Sequence, residues 1–176
     1  MKKFTLPKDG GLIEEGLPNG VKHTFEHIPA HIFEDEQAAS ERIAGKIAEA
    51  INSSEGIFRL GFSTGSTPVT IFNSLVRKHR EEGLSFKNVE LYSTDEYYPA
   101  PADANSRNRR LYNDFISKID ILPENVFIPK ITELKDSTEV SDFCISFDEK
   151  ARNLDYLVMG VGEKGQVGFN EFVATE

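Results

Sequence analysis

Short apolar runs alternate with amphipathic helical stripes from residue 29 onward, and this alternation constrains the fold more than any other feature of the sequence. In the stripes, apolar residues recur every three to four positions, as in Ile43, Ile47 and Ile51, which is the spacing of one helix face. The apolar runs are short, and strands of that length between helices predict βαβ units. Such units build a parallel sheet that is covered by helices.

The pattern therefore predicts an α/β, Rossmann-like three-layer fold with a mainly parallel sheet and helices on both faces. Residues 29–176 form this domain, and residues 1–28, which show no clear period, are interpreted as an N-terminal extension. The last apolar run is nearly continuous, which is typical of a strand buried on both faces. The predicted strands are His31–Phe33, Ile57–Phe62, Val89–Tyr92, Val126–Ile128 and Leu154–Met159; the predicted helices surround Ile43–Ile51 and span Pro68–Glu82, Arg110–Ile119 and Val140–Ala151.

Charge and cysteine content narrow the possible partners. The net charge is −9, from 20 basic and 29 acidic residues, which argues against a nucleic acid or an anionic membrane as partner. No apolar stretch approaches the roughly 20 residues that cross a bilayer, and no signal peptide is recognisable. Cys144 has no partner for an intrachain disulfide, which suits a cytoplasmic protein, and its apolar helical stripe predicts a buried, inert thiol.

The loop after the second predicted strand has the composition of a phosphate site. It reads Ser63-Thr64-Gly65-Ser66-Thr67-Pro68 and leads directly into a helix. Gly65 allows successive N–H groups to point into one concavity, hydroxyl groups add donors, and a helix N-terminus favours an anion. The loop lacks the Gly-Lys-Ser/Thr ending of a nucleotide triphosphatase. A capped turn without a ligand is the alternative. The candidate phosphate-binding residues are Thr64, Gly65, Ser66 and Thr67.

The loop after the third predicted strand carries two adjacent carboxylates, Asp95 and Glu96. Their side chains point in different directions, so one can face a cleft while the other is structural. A cleft-facing Asp95 could act as a general base; a solvated acidic turn is the alternative. The basic residues that follow, at positions 107, 109 and 110, could supply a cationic contact or simply form a solvated helix start.

The loop after the last strand is rich in glycine, with residues 160, 162, 165 and 168 all Gly, which suits a close approach of backbone to a ligand. The spacing imitates a dinucleotide fingerprint, but no helical stripe follows it, so a dinucleotide site is disfavoured. His23, His27 and His31 recur every four residues, yet Pro29 interrupts any helix, so no metal site is predicted.

Taken in order, these loops resemble the glucosamine-6-phosphate deaminase/isomerase family, which is related in fold to 6-phosphogluconolactonase. The resemblance extends over roughly Ile32 to Glu171, and the Gly-Phe-Asn-Glu ending favours the deaminase branch. The segments that carry it are Leu60–Pro68, Leu84–Val89, Thr94–Tyr97, Ile119–Val126 and Gly168–Glu171.

The resemblance implies conversion of glucosamine 6-phosphate to fructose 6-phosphate and ammonia, without a metal or a redox cofactor. It places the phosphate on the loop around Gly65. Asp95 matches the carboxylate that moves the C2 proton, and Glu171 matches the carboxylate that supports the ring-opening histidine.

That histidine is absent from this chain. The family's Asp-Gly-His reads Lys164-Gly165-Gln166 here, so an amide replaces the imidazole and a cation replaces the carboxylate that orients it. An amide cannot shuttle a proton near neutral pH, and loss of a general acid or base typically costs about 10²–10⁴-fold in rate. Family members also continue past this loop, so the domain is expected to lack its C-terminal part: either the chain is a fragment, or its site is completed from elsewhere.

Three functions follow as hypotheses. The chain is a deaminase/isomerase with weak or lost activity, a non-catalytic sugar-phosphate-binding module, or a 6-phosphogluconolactonase-like hydrolase, which ranks last because lactonases also use a histidine in this loop. In each case the partner is a small-molecule sugar phosphate, and a homo-oligomer is left open.

Overall fold

Helix and strand boundaries follow from the apolar pattern and from local capping. In this computed structural model, the residues described are 31, 33–65, 68–96, 107–129, 134, 136–162 and 164–168. Asp35 caps the first helix by accepting a hydrogen bond from the Ala38 N–H, at 2.7 Å. The elements are α1 Glu36–Ser53, β1 Phe58–Phe62, α2 Pro68–Glu82, β2 Val89–Ser93, α3 Arg107–Asp114, the 3₁₀ turns Ile116–Lys118 and Pro123–Asn125, β3 Val126–Phe127, α4 Ser137–Ala151 and β4 Tyr156–Val158.

The strands form one parallel sheet in the order β3-β2-β1-β4. Phe62 at the end of β1 lies opposite Ser93 of β2 and Val158 of β4. The carboxyl ends of these strands are therefore level, and the loops that follow them leave the sheet at one edge. The predicted α/β fold with a parallel sheet is confirmed.

The main core lies on one face of the sheet, where α2 and α3 pack through aromatic rings. Phe115 contacts Phe62, Phe72 and Phe86, with ring centroids 5.9, 5.0 and 5.5 Å apart. Phe62 also meets Phe72 edge to face at 4.9 Å. These rings lie directly beneath the start of the loop after β1, so they give that loop a rigid base.

The opposite face of the sheet is covered in part by α4. Tyr92 of β2 points to this face because its strand neighbours Leu91 and Ser93 point to the main core. Its ring stacks on Phe127 at 4.7 Å and meets Phe147 of α4 edge to face at 6.3 Å. Helices consequently lie on both faces, as the three-layer prediction requires.

The last strand differs from its prediction. The run Leu154–Met159 was expected to be buried on both faces, but β4 lies at the sheet edge, and Leu157 and Met159 are 40% and 51% exposed. Tyr156 and Val158 pack against the main core, whereas the side chain of Leu157 between them points to the other face. No described helix covers that part of the sheet, so the expectation of two-sided burial is wrong for the described residues.

Three further expectations differ in detail. Cys144 is exposed, because α4 contacts the sheet through Phe147, against which Phe143 stacks, on another side of the helix. The predicted helix Arg110–Ile119 begins earlier, at Arg107, and gives way to a 3₁₀ turn after Asp114. In the predicted strand His31–Phe33, the two described residues, His31 and Phe33, lie outside the strands β1 to β4. The extension 1–28 lies outside the described residues.

Two of the segments that carry the family resemblance are joined by Asp120. Its carboxylate accepts hydrogen bonds from the Phe86 N–H at 2.7 Å and from Ser85 Oγ at 2.8 Å. Asn125 adds a bond from Nδ2 to the Lys87 carbonyl at 3.3 Å. Burial alone would raise the pKa of Asp120, but the hydrogen bonds from Phe86 and Ser85 and the nearby His79 lower that pKa below its usual value. These hydrogen bonds join the segments Leu84–Val89 and Ile119–Val126 to each other, which gives both segments a structural role next to β2.

We expect Asp120→Asn to lower the free energy of unfolding at pH 7 by about 1 kcal/mol, because hydrogen bonds to a charged acceptor are stronger than those to a neutral one. The folded-state pKa lies below the unfolded value, so this stabilisation is present above about pH 4 and is lost as the pH falls through the folded-state pKa. Urea unfolding of both proteins at pH 7 and at pH 3 measures the difference. An equal difference at both pH values would contradict this account.

Candidate functional site

Asp95 lies where the loops after β1 and β2 meet. Its carboxylate accepts hydrogen bonds from Ser63 Oγ at 3.3 Å, from Thr64 Oγ1 at 3.0 Å and from the Thr64 N–H at 3.5 Å. Thr64 is only 6% exposed, whereas Asp95 is half-buried. The structure therefore brings together one candidate catalytic residue and one candidate phosphate-binding residue, and adds Ser63, which sequence analysis did not single out. The signal for Ser63 was its position directly after a strand.

Glu96 points away from this contact and caps α3. Its carboxylate accepts hydrogen bonds from the backbone N–H groups of Arg107 at 3.1 Å and of Asn108 at 2.9 Å. These are N–H groups of the first helical turn, which have no partner within a helix. The two adjacent carboxylates thus have separate surroundings: Glu96 stabilises the start of a helix, while Asp95 faces the loop after β1.

Backbone hydrogen bonds extend the sheet pairing into the site. The Ser63 N–H donates to the Val158 carbonyl at 2.9 Å, and the Thr94 N–H donates to the Phe62 carbonyl at 3.0 Å. Ser93 Oγ also donates to the Asp95 carbonyl at 3.3 Å. The residues on either side of the Asp95 carboxylate are consequently held by the sheet rather than by the loop alone.

The glycine-rich loop after β4 folds into a tight turn. Val161 and Val167 form an antiparallel bridge, and the Gly162 N–H donates to the Gln166 carbonyl at 2.8 Å. Gly165 and Gly168 have φ angles of +77° and +65°, where any residue with a Cβ is strained. A Cβ on Gly168 would lie 3.6 Å from Asp95 Oδ2, so the turn places its far end beside that carboxylate.

Gln166 uses its side chain inside this turn. Its Oε1 accepts a hydrogen bond from the Lys164 N–H at 3.1 Å. Its carboxamide also lies against Gly162. A Cβ added to this glycine would lie 2.7 Å from Oε1 and would collide with the carboxamide. The carboxamide therefore acts as a bridge within the loop, and Lys164 is exposed.

A small pocket lies between the loop after β1 and helix α3. Thr64 and Gly65 form one wall, and two arginines of α3 form another. The complete lining is Thr64, Gly65, Phe72, Arg107, Arg110, Leu111 and Asp114. A second, more open groove on the other side of α3 is lined by Asn108, Arg109, Tyr112, Asn113 and Ile128. The sequence alone did not show which arginines of α3 face the pocket. Their positions around the helix place Arg107 and Arg110 at the pocket and Arg109 at the groove.

Some candidate residues lie outside the described residues, namely Ser66 and Thr67 of the phosphate loop and the carboxylate Glu171. His23 and His27, which were considered as metal ligands, also lie there. Among the residues that the structure does describe, no three His, Cys, Asp or Glu side chains are grouped to hold a metal ion. None of the described helices is both long enough and apolar enough to span a membrane.

Sequence comparison matches this chain to one family of known proteins. The family profile described as glucosamine-6-phosphate isomerases/6-phosphogluconolactonase matches residues 34–168. A glucosamine-6-phosphate deaminase-like protein of Bacteroides thetaiotaomicron is 32% identical over 165 residues, which is 90% of this chain but 25% of that protein. The chain thus spans only a quarter of that relative's length.

Solved structures share the same architecture. A monomeric glucosamine-6-phosphate deaminase superimposes with a TM-score of 0.70 at 29% identity, over 78% of this chain and 56% of that one. A 6-phosphogluconolactonase from Thermotoga maritima superimposes with a TM-score of 0.62 at 21% identity, over 77% of this chain and 59% of that one, which shows a shared fold.

The bridging role of Gln166 leads to a local prediction. We expect Gly162→Ala to displace the carboxamide and to break its bond to the Lys164 N–H, while global stability changes little, because a flexible side chain can move aside. Hydrogen exchange at the Lys164 amide should then accelerate. Gly160→Ala is the matched control, since a Cβ there meets nothing within 4 Å. Equal exchange rates in both variants would show that Gln166 does not hold the turn.

Proposed function

The chain belongs to the family of glucosamine-6-phosphate isomerases and 6-phosphogluconolactonases, and on that premise we propose that it binds an amino-sugar hexose 6-phosphate at the carboxyl ends of β1 and β2. The observation that carries this proposal is the position of Asp95, which is held by Ser63 and Thr64 at the mouth of the phosphate loop. A carboxylate at that place can reach the sugar ring of a ligand whose phosphate occupies the loop.

The phosphate group is proposed to bind the loop Thr64–Thr67. Two observations support this placement: Thr64 and Gly65 face α3 across a gap with room for about one water molecule, and α2 begins directly after the loop at Pro68. A helix N-terminus carries a partial positive charge and N–H groups that need acceptors, both of which favour an anion. Family resemblance supplies the remaining residues, Ser66 and Thr67.

Asp95 is proposed as the group that moves the proton at C2. Proton transfer requires a base within hydrogen-bond reach of the acidic C–H and held in one orientation. The hydroxyl groups of Ser63 and Thr64 fix the carboxylate, and Gly168 lies close to it, since a Cβ at that glycine would be 3.6 Å from Oδ2. Glu171 is assigned to the site by family resemblance.

The ring-opening step is proposed to be impaired. Opening a pyranose transfers a proton from the anomeric hydroxyl group to the ring oxygen, a role that the family's histidine position would perform. Here Gln166 occupies that position, cannot titrate near neutral pH, and is already bonded to the Lys164 N–H. We therefore assign the chain sugar-phosphate binding with deamination slowed by about 10²–10⁴-fold, the typical effect of losing a general acid or base.

The other readings have weaker support. A lactonase function rests on similarity of fold, at 21% identity for the Thermotoga maritima enzyme, and a shared fold does not carry a shared reaction. A purely binding function is the limit of the same proposal in which no turnover remains. We also propose that residues 29–176 form the sugar-phosphate domain, with residues 1–28 as an extension. The protein is proposed to work in the cytoplasm, because its single cysteine cannot form an intrachain disulfide.

Ligand binding should be visible as thermal stabilisation. Because a ligand that binds only the folded state adds RT ln(1 + [L]/Kd), glucosamine 6-phosphate at 100 times its Kd should add about 2.7 kcal/mol to the free energy of unfolding. Glucosamine, which lacks the phosphate, is the matched ligand control and should produce no shift. Identical melting curves with and without the phosphate ester, up to millimolar concentrations, would refute the proposed function.

Restoring the family's residues should restore turnover. We expect Lys164→Asp combined with Gln166→His, in the full-length protein, to raise ammonia release from glucosamine 6-phosphate by about 10²-fold or more, because an oriented imidazole can then shuttle the ring-opening proton. The control is Lys164→Asp alone, which keeps the Gln166 carboxamide and its bond to the N–H of residue 164, supplies no imidazole and should leave turnover at the parental level. If the double variant and the control release ammonia at the same rate, the explanation from the altered loop is wrong.

A further inference from the structure

Helix α3 directs two of its arginines toward the phosphate loop. Arg107 and Arg110 are three residues apart, which places them on one side of the helix, and both line the pocket that Thr64 and Gly65 also form. We infer that this pair forms the cationic wall of the ligand site and contacts the phosphate from the side opposite the loop backbone. The inference rests on the proposed function, because it assumes that the phosphate occupies this loop.

Electrostatics supports a second wall of this kind. The loop Ser63–Thr67 offers hydroxyl and N–H groups, which are neutral, whereas a phosphate monoester carries between one and two negative charges near neutral pH. Moving such an anion out of water is costly unless cations compensate it. Arginine is well suited because its planar guanidinium group donates parallel hydrogen bonds to two phosphate oxygens.

The arginines stand on a fixed base. The Arg107 N–H is bonded to Glu96, the residue next to Asp95, so the start of α3 is tied to the loop that carries the candidate base. Leu111, one turn later, is 1% exposed and belongs to the main core. The Nε of Arg107 is itself buried. A helix anchored at both points presents its side chains to the pocket in one orientation, which is what phosphate recognition requires.

One acidic group faces the same pocket. Asp114 lies four residues after Arg110 and lines the pocket with it, but forms no ion pair with another described residue. Its carboxylate repels a bound anion, so it limits the affinity for free phosphate. The arginine pair must outweigh this repulsion, and Asp114→Asn should therefore tighten phosphate-ester binding.

Arg109 provides a matched control on the same helix. It lies between the two pocket arginines in sequence but lines the opposite groove with Tyr112 and Ile128. Replacing it changes the net charge of the protein and the composition of α3 by the same amount. Any general electrostatic or helix-stability effect of removing an arginine will consequently appear in the Arg109 variant as well.

The test measures the Kd of fructose 6-phosphate by calorimetry for the full-length protein and for Arg107→Met, Arg110→Met and Arg109→Met. We expect Arg107→Met and Arg110→Met each to weaken binding by about 10-fold or more, the range of a lost charge-assisted hydrogen bond, and Arg109→Met to bind like the parent. Arg110 is exposed, so its replacement keeps the test valid if the Arg107 variant does not fold.

Three outcomes separate the two proposals. Weakening confined to the pocket arginines supports the inference. Equal affinity for all three variants overturns it, while binding of fructose 6-phosphate by the parent leaves the proposed function standing. A parent protein that binds neither fructose 6-phosphate nor glucosamine 6-phosphate overturns both. As a further readout, raising the salt concentration should weaken parental binding more steeply than that of Arg110→Met, because fewer charges then contribute.

Discussion

Parallel pairing of β1 with β2 sets the position of Asp95 and of the first residues of the phosphate loop. Phe62 lies opposite Ser93, so the two following residues of each strand, Ser63–Thr64 and Thr94–Asp95, leave the sheet side by side. A slip of one residue would turn alternate side chains to the wrong face and separate the Asp95 carboxylate from its hydroxyl donors. The rings around Phe115 support this arrangement, because they join β1 and α2 to Phe86, which precedes β2.

The site divides its work among groups that lie close together in sequence. Glu96 organises α3 while its neighbour Asp95 faces the pocket, and α3 in turn carries arginines to two different surfaces. In the glycine-rich loop, Gln166 contributes internal hydrogen bonding where the family resemblance expects proton transfer. The loop has a defined shape, with its far end beside Asp95, although an amide stands where the family resemblance expects an imidazole.

Sequence patterns predicted the features that depend on local chemistry. Helix α2 begins at Pro68 and ends before Gly83 as expected, since proline fits a first helical position and Gly83 adopts a φ of +76°. Features that depend on distant partners were not predictable. An apolar run such as Leu154–Met159 indicates a strand but not whether a helix will cover it, and Cys144 is exposed because contact with the sheet falls on Phe147 instead.

The same contrast between local chemistry and distant partners applies to the site. A cleft-facing Asp95 was one of two alternatives that the sequence left open, but neither its contact with the loop after β1 nor the orientation of the α3 arginines was predicted. That orientation depends on a helix start at Arg107, which Glu96 fixes from a different segment of the chain. A helix beginning at Arg110, as the apolar pattern suggested, would not define which surface each arginine faces.

The outer edge of β4 has consequences for how the protein behaves at high concentration. Within the described part of the chain, β4 pairs with β1 alone, and its unbonded edge adjoins the exposed apolar side chains of Leu157, Met159 and Val161. An open edge of this kind can template strand addition between molecules. Mutual repulsion from a net charge of −9 opposes such self-association, and dissolved salt screens that repulsion. Added salt should therefore favour contacts between molecules at this edge of the described sheet.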